Sequence, residues 1–412
     1  KMNNILHFII FTMPAWLRIA LILFLISLNY GAEFLVERSI RKVYRQTESA
    51  EAAMNKLRIY NQYFLPILQL ITVVPIEFMT AKYFVRFGRV GLFIFLLLIL
   101  FLLFLLINIG QLLIINKTYR KIRGTTQSLF SQIRDITLTF FFILVPVGLL
   151  KMLSFLIENI QMISPALKSM LSVVITIIMI FLFNLVLPFF YPKLFKAVPL
   201  ADERLGELLD GLFVRAGIKK AKLYQWPTKE KKLANALVIG LVKPKVLISD
   251  YYLENAEPAE IEAIIAHEVG HLKYKHLLKR LLYIIGGLGE VYLAGQLMEW
   301  YENYTGTEIN TYLGLAVLLV PFALYISFGL LKYYRSQEKK ADEYALQIGV
   351  QPDVMITALL KLARLNHTTT RLKKLDEGFQ THPSIARRIQ QIEKISGYKY
   401  DPNSGDTFQK TP

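Results

Sequence analysis

Residues Gly91–Gly110 read GLFIFLLLILFLLFLLINIG, twenty residues without one charged side chain. As an α-helix, a run of that length and polarity matches the ~30 Å hydrocarbon layer of a bilayer. Similar runs lie on both sides of it. Seven spans are expected: Trp16–Leu35, Tyr63–Met79, Val90–Ile115, Ile136–Ile157, Leu167–Tyr191, Leu281–Trp300 and Thr311–Tyr334. Pro66 and Pro75 weaken the second, and Glu290 weakens the sixth. The first is too long for a signal-peptide core, and Glu33 and Glu37 follow it with no small-residue cleavage site, so it reads as a span. The fold class expected is a mostly α multi-pass membrane protein with about seven transmembrane helices.

Composition agrees. The 412 residues are 54% apolar, with a mean hydropathy of +0.40. The net charge of +17 raises the question of nucleic acid. The cations cluster beside spans, where they set orientation and meet anionic lipid, so no nucleic-acid partner is expected. With no Cys, disulfides, thiolate metal ligands and S-lipidation of the chain itself are excluded.

The polar segments carry the chemistry. Ala259–His276 reads AEIEAIIAHEVGHLKYKH. Ile261, Ile264, Ile265, Val269 and Leu272 recur at helical spacing, with Pro258 near the helix start. His267 and His271, four apart, then project from one face and suit two corners of a zinc tetrahedron. Glu268 stands beside the first ligand, where its carboxylate can take a proton from a metal-bound water without binding the metal. A third ligand is expected on another helix, in YRSQEKKADEYALQIG, residues 334–349. There Glu338 is assigned to the metal. Asp342, on the same face, would accept a hydrogen bond from a ligand His. Two spans separate His271 from Glu338, and an even number of crossings returns the chain to the same side of the membrane.

Three further segments are less specific. Leu233–Asp250 reads as two strands around Lys243–Pro244–Lys245, which could hold an extended peptide, with Asn235 adding a contact, or be a structural hairpin. Thr381–His382–Pro383 precedes a helix with Arg387 and Arg388. A His or Arg there could stabilise an oxyanion, or the segment could be a capped helix only. Glu290 and Gln296 lie among Gly286, Gly287, Gly289 and Gly295. They fit either a polar membrane chamber or a packed polar contact. His276 reads as a packing residue.

These motifs together resemble the membrane-embedded zinc metalloproteases that include the CAAX prenyl protease and HtpX. The resemblance rests on AHEVGHLKYKH, on RSQEKKAD, on Asn235–Ala236 and on THPSIARR, and covers roughly Leu233 to Arg388. The seven-span count is nearer the CAAX type than the four-span HtpX. It implies one zinc on His267, His271 and Glu338, Glu268 as base, and substrate or carbonyl contacts from Asn235, Ala236, His382 and Arg388. It also implies spans enclosing a chamber, and a peptide substrate that is prenylated, membrane-inserted or misfolded. His382 is followed by Pro–Ser where CAAX proteases usually have Pro–Pro, so the substrate is less defined than the chemistry.

The expected organisation is a five-span region over 1–191, then the zinc-helix part of a zincin-like α/β metalloprotease domain over 192–280. Spans six and seven occupy 281–334, the third-ligand and C-terminal helical part 335–395, and a mobile tail 396–412. The rival classes are a channel or transporter with a structural zinc, and a scaffold with a dead protease site. A structural zinc normally has four protein ligands, whereas the sequence offers three and a base.

Orientation follows from Lys and Arg in the short loops. Arg38, Arg41, Lys42, Arg45, Lys56 and Arg58 lie between spans one and two, and Lys117, Arg120, Lys121, Arg123 and Arg134 between three and four. The opposite side has Lys82, Arg86 and Arg89, then Lys168, and neither Lys nor Arg between Trp300 and Thr311. The richer side is expected to be cytoplasmic, in a bacterial plasma membrane or, in a eukaryote, the endoplasmic reticulum. A reporter fused after Arg335 is expected to read as cytoplasmic and one inserted near Asn303 as external. The reverse pattern would overturn the orientation.

Overall fold

Within hydrocarbon every backbone N–H and C=O needs a partner inside its own segment, so long apolar runs fold as helices. The computed structural model describes residues 13–81, 88–218, 221–240, 244–372, 377 and 380–401. Among them, six helices are long and apolar enough to cross a membrane by length and composition: Ala15–Thr47, Leu97–Arg123, Leu129–Glu158, Leu167–Val186, His276–Thr305 and Leu313–Gln347. Six of the seven expected spans fall on these. The second falls on a helix of 17 residues, Leu65–Ala81, which continues a π-helical turn at Tyr60–Phe64. Lys82, Arg86, Lys243 and residues 402–412 of the expected tail lie outside the described residues.

Packing divides the chain into two units, Lys1–Met179 with Glu230–Lys232, and Ile180–Lys229 with Leu233–Pro412. The first contains α1 (Ala15–Thr47), α2 (Ala50–Ile59), α3 (Leu65–Ala81), α4 (Gly88–Arg123) and α5 (Leu129–Glu158). Buried amides tie three of these helices together. Asn29 Nδ2 of α1 donates to Thr72 Oγ1 of α3 at 2.7 Å, and Gln111 Nε2 of α4 donates to Asn29 Oδ1 at 3.3 Å. Such bonds act as interhelical glue in apolar surroundings.

After α6 (Pro165–Leu194), the second unit builds a four-stranded sheet from β1 (Val198–Pro199), β2 (Lys222–Trp226), β3 (Ala236–Ile239) and β4 (Lys245–Ser249), ordered β1-β2-β4-β3. The expected two-stranded hairpin is present, with β3 antiparallel to β4 and Ala236 opposite Ile248. The parallel pairing of β2 with β4 has no local signal. It is closed by a crossover whose ends are remote in sequence.

The rest of the second unit is helical: α7 (Glu203–Arg215), α8 (Asp250–Asn255), α9 (Pro258–Lys273), α10 (His276–Thr305), α11 (Thr311–Leu324), α12 (Leu331–Gln347), α13 (Pro352–Leu365) and α14 (Ile385–Ser396). Leu209, Leu212, Val246, Ile248, Ile265 and Met355 form a core in which each is fully buried. The start of α9 is fixed twice over. Glu260 Oε2 accepts from the Glu257 N–H at 2.8 Å and from Lys361 Nζ of α13 at 2.5 Å. Lys275, at φ 53°, breaks the chain between α9 and α10.

In α10, Gly286 and Gly287 meet the Tyr325 side chain, and Gly289 and Gly295 face open space. Close helix packing therefore accounts for the first pair.

At Gly270 the approach is to the backbone of a second helix. A Cβ there would lie 3.0 Å from Ala341 Cα and 3.2 Å from its carbonyl oxygen. Even a methyl group at this position would require α12 to yield by a few tenths of an ångström. Replacing Gly270 with a large side chain should cost about 1–3 kcal/mol as overpacking. Gly270→Leu is expected to unfold at a clearly lower temperature in detergent, and an unchanged midpoint would show that the close approach is dispensable.

Candidate metal centre and active site

The contact at Gly270 sets the face of α9 bearing His267 and His271 against the face of α12 bearing Glu338 and Asp342. His267 Nε2 and His271 Nε2 are 3.2 Å apart. Glu338 Oε2 lies 3.3 Å from His267 Nε2, and Glu338 Oε1 lies 3.3 Å from His271 Nε2. Ligands at ~2.0–2.1 Å around a tetrahedral zinc are separated by about 3.3–3.4 Å, so the two imidazole nitrogens, each facing a different oxygen of the Glu338 carboxylate, stand at spacings that suit a zinc site. Glu338 is fully buried, and its Oε2 accepts no aligned hydrogen bond even though His382 Nδ1 lies 2.8 Å away. A buried carboxylate oxygen of this kind is suited to a cation. Glu268 forms a looser group with the two His, its nearest oxygen within 4.8 Å of them. The tighter set with Glu338 is the better ligand trio, leaving Glu268 beside it.

Outer contacts select the tautomers. His267 Nδ1 donates to Asp342 Oδ1 at 2.8 Å, which turns the lone pair of Nε2 toward the trio. Asp342 is itself held by Arg388, whose Nε donates to Oδ2 at 2.9 Å and Nη2 to Oδ1 at 2.6 Å. His271 Nδ1 lies 2.8 Å from His276 Nδ1, so one of the two must donate. Donation by His271 leaves its Nε2 lone pair facing Glu338 as well.

Burial and Arg388 push His267 down, but the Asp342 and Glu338 carboxylates outweigh them and lift it to about 9. Burial, followed by repulsion from His267, holds His271 down at about 2. A bound metal requires both rings neutral, so binding would displace a proton from His267. Burial raises Glu268 above the ordinary carboxylate range, and the Glu338 charge adds to this; His267, His382 and Arg388 oppose it. A carboxylate shifted upward is a better base at neutral pH.

A cleft of about 650 Å³ opens over the trio, lined by Val238, Glu268, His271, Arg280, Glu338 and His382 among others. His382 is exposed, with 61% of its side chain accessible. Its loop is held to α12 by Arg335, whose Nη1 donates to the Gln380 carbonyl at 2.9 Å. Arg388 is buried and makes its side-chain contacts on the Nδ1 side of His267: Nε and Nη2 reach Asp342, and Nη2 also lies 3.2 Å from His267 Nδ1. Asn235 is exposed at the start of β3, and Ala236 is buried.

In β3, the Asn235 carbonyl accepts from the Ser249 N–H at 2.9 Å. Antiparallel ladders alternate bonded and non-bonded pairs. Ala236 and Val238 therefore direct their N–H and C=O groups toward the free edge of the sheet.

Two residues of this neighbourhood carried no functional assignment from the sequence. His276 is buried against His271, and Arg280, one turn further along α10, reaches Glu338 with Nη2 at 3.3 Å. The available signal was their i, i+4 spacing just after the HExxH helix, which reads equally well as the charged boundary of a span.

Residues 199–396 match the model of Peptidase family M48. The chain is 24% identical to "CAAX prenyl protease 1" of Saccharomyces cerevisiae, covering 54% of this chain and 56% of the relative. It is 26% identical to "CAAX prenyl protease 1 homolog" of Arabidopsis thaliana, covering 52% and 54%, and 25% identical to "Protease HtpX" of Acinetobacter baumannii, covering 47% and 72%. The chain thus spans about half the length of the two prenyl protease relatives. Among solved structures it is similar to the crystal structure of S. mikatae Ste24p, with TM-score 0.61 and 17% identity over 93% of this chain and 100% of that one. That likeness establishes the fold: a multi-pass helical protein carrying a small mixed sheet.

Proposed function

We propose that the chain is an integral-membrane zinc-dependent endopeptidase acting on peptide bonds of membrane-associated, lipidated or misfolded membrane proteins. The observation that carries this reading is the donor geometry. The His267 and His271 nitrogens face the two Glu338 oxygens at zinc-site spacings, and a fourth group, the Glu268 carboxylate, is left outside the trio. A structural zinc would normally take four protein ligands, so three ligands and a neighbouring base favour catalysis over the channel or transporter class. Residues 199–396 matching Peptidase family M48 support the same reading.

Zinc held by this trio supplies a Lewis acid that polarises a carbonyl and brings the pKa of a bound water to roughly 7. Glu268, raised by its burial, takes the proton of the attacking water and delivers it to the departing amine. Asp342 and Arg388 act one step back, keeping the His267 ring in the tautomer that presents Nε2. His382 stands at the cleft beside Glu338, placed to donate toward the reacting carbonyl. The free edge of β3 offers the N–H and C=O groups of Ala236 and Val238 to an extended substrate, a common mode of peptide capture. Asn235 extends that edge. The Lys/Arg asymmetry supports a cytoplasmic catalytic face.

Substrate class is tested by incubating the purified protein in detergent with a farnesylated peptide ending in a CAAX sequence and with the same peptide unlipidated. Cleavage of at least one is expected, abolished by a chelator and restored by zinc. A faster farnesylated reaction favours the lipidated class, and equal rates favour membrane-protein clearance. Cleavage that persists undiminished after removal of all metal would overturn the proposal.

A further inference from the structure

Resting on the peptidase reading above, we propose that Arg280 is a further donor, beside His382, to the negative oxygen developing on the scissile carbonyl. Three contacts fix its guanidinium at the wall of the cleft. Nε donates to Gln337 Oε1 at 2.6 Å, Nη2 donates to Glu338 Oε1 at 3.3 Å, and the group lies 4.2 Å from the centre of the Tyr334 ring. Among the described residues Nη1 has no hydrogen-bond partner. One N–H-bearing corner of a held cation is thus left over, in a cleft shared with Glu268, His271, Glu338 and His382.

Stabilisation of a transition state depends on donors that are in place before the charge appears. His382 meets this condition less well than Arg280: it sits on a loop, its side chain is 61% accessible, and its ring must be protonated to carry charge. Arg280 is always charged and is anchored by neighbours on the same helix as the third ligand. The other arginine of the site, Arg388, has both Nε and Nη2 on Asp342. The two arginines therefore divide the work. Arg388 holds a ligand's partner, and Arg280 faces the reacting atoms.

A purely supporting role for Arg280, steadying Glu338, makes a different forecast, and two ligands separate the roles. The first is the parent peptide, measured for binding in a Glu268→Gln background. The second is its phosphinate analogue, a tetrahedral anion resembling the transition state. Arg280→Met is expected to keep about one zinc per chain and to bind the parent peptide within ~3-fold of the unsubstituted protein, while losing at least ~30-fold in phosphinate affinity with a parallel fall in kcat. Arg280→Gln is made alongside, so that either folded variant gives the answer. Arg280→Lys, which keeps the charge, should lose less than ~10-fold. Unchanged phosphinate affinity, zinc loss in step with the affinity loss, or an equal loss in the Lys and Met variants would each overturn the assignment. Failure of the unsubstituted protein to cleave any peptide would count against the peptidase reading itself.

Discussion

The close approach of two helices at Gly270 and Ala341 is the constraint on which the site depends. Neither helix carries a complete site. One has two imidazoles and a base, and the other has two carboxylates. A Cβ on Gly270 would sit 3.0 Å from the Ala341 backbone, so the missing side chain favours the close approach at which the five groups converge. Outside the pair the same logic continues. Lys361 and the Glu257 backbone hold the start of the first helix through Glu260, and Arg388 holds the second through Asp342. The buried charges are thus paired, as low-dielectric surroundings require.

The membrane helices bear on the site through the chain's path. His276–Thr305 begins three residues after α9 ends, and the following span runs on into the helix that carries Glu338. Two crossings therefore separate the halves of the ligand set and return the chain to the same side. The insertion adds Arg280, from the first turns of the outgoing helix, to the wall of the cleft. A soluble enzyme with the same trio would have no need of this connection.

Much of this was legible in the sequence because it is written in local periodicity. HExxH on an apolar-faced helix, Glu338 and Asp342 four apart, and the strand pair around Lys243–Pro244–Lys245 are all short-range patterns, and the described residues place each on the element expected. Other features are set by contacts remote in sequence. Nothing local says that β2 runs parallel beside β4, or that the guanidinium of Arg388 closes on Asp342, 46 residues away. Arg280 was hidden for a different reason: a cation at the start of an apolar span has an ordinary explanation as a membrane boundary, and only the fold turns it toward Glu338. The second span falls on a helix of which 17 residues are described, and the π-helical turn that leads into it has no hydropathy signal.

The central claim is that a protonatable carboxylate beside a three-ligand metal site performs hydrolysis, and one substitution isolates it. Glu268→Gln preserves side-chain size and leaves His267, His271 and Glu338 untouched, but an amide cannot accept the proton of the attacking water. Zinc content and peptide cleavage should be measured on the same purified sample in detergent. The mechanism predicts about one zinc per chain, with cleavage reduced at least ~100-fold. A variant that holds its zinc and still cleaves at close to the original rate would contradict it.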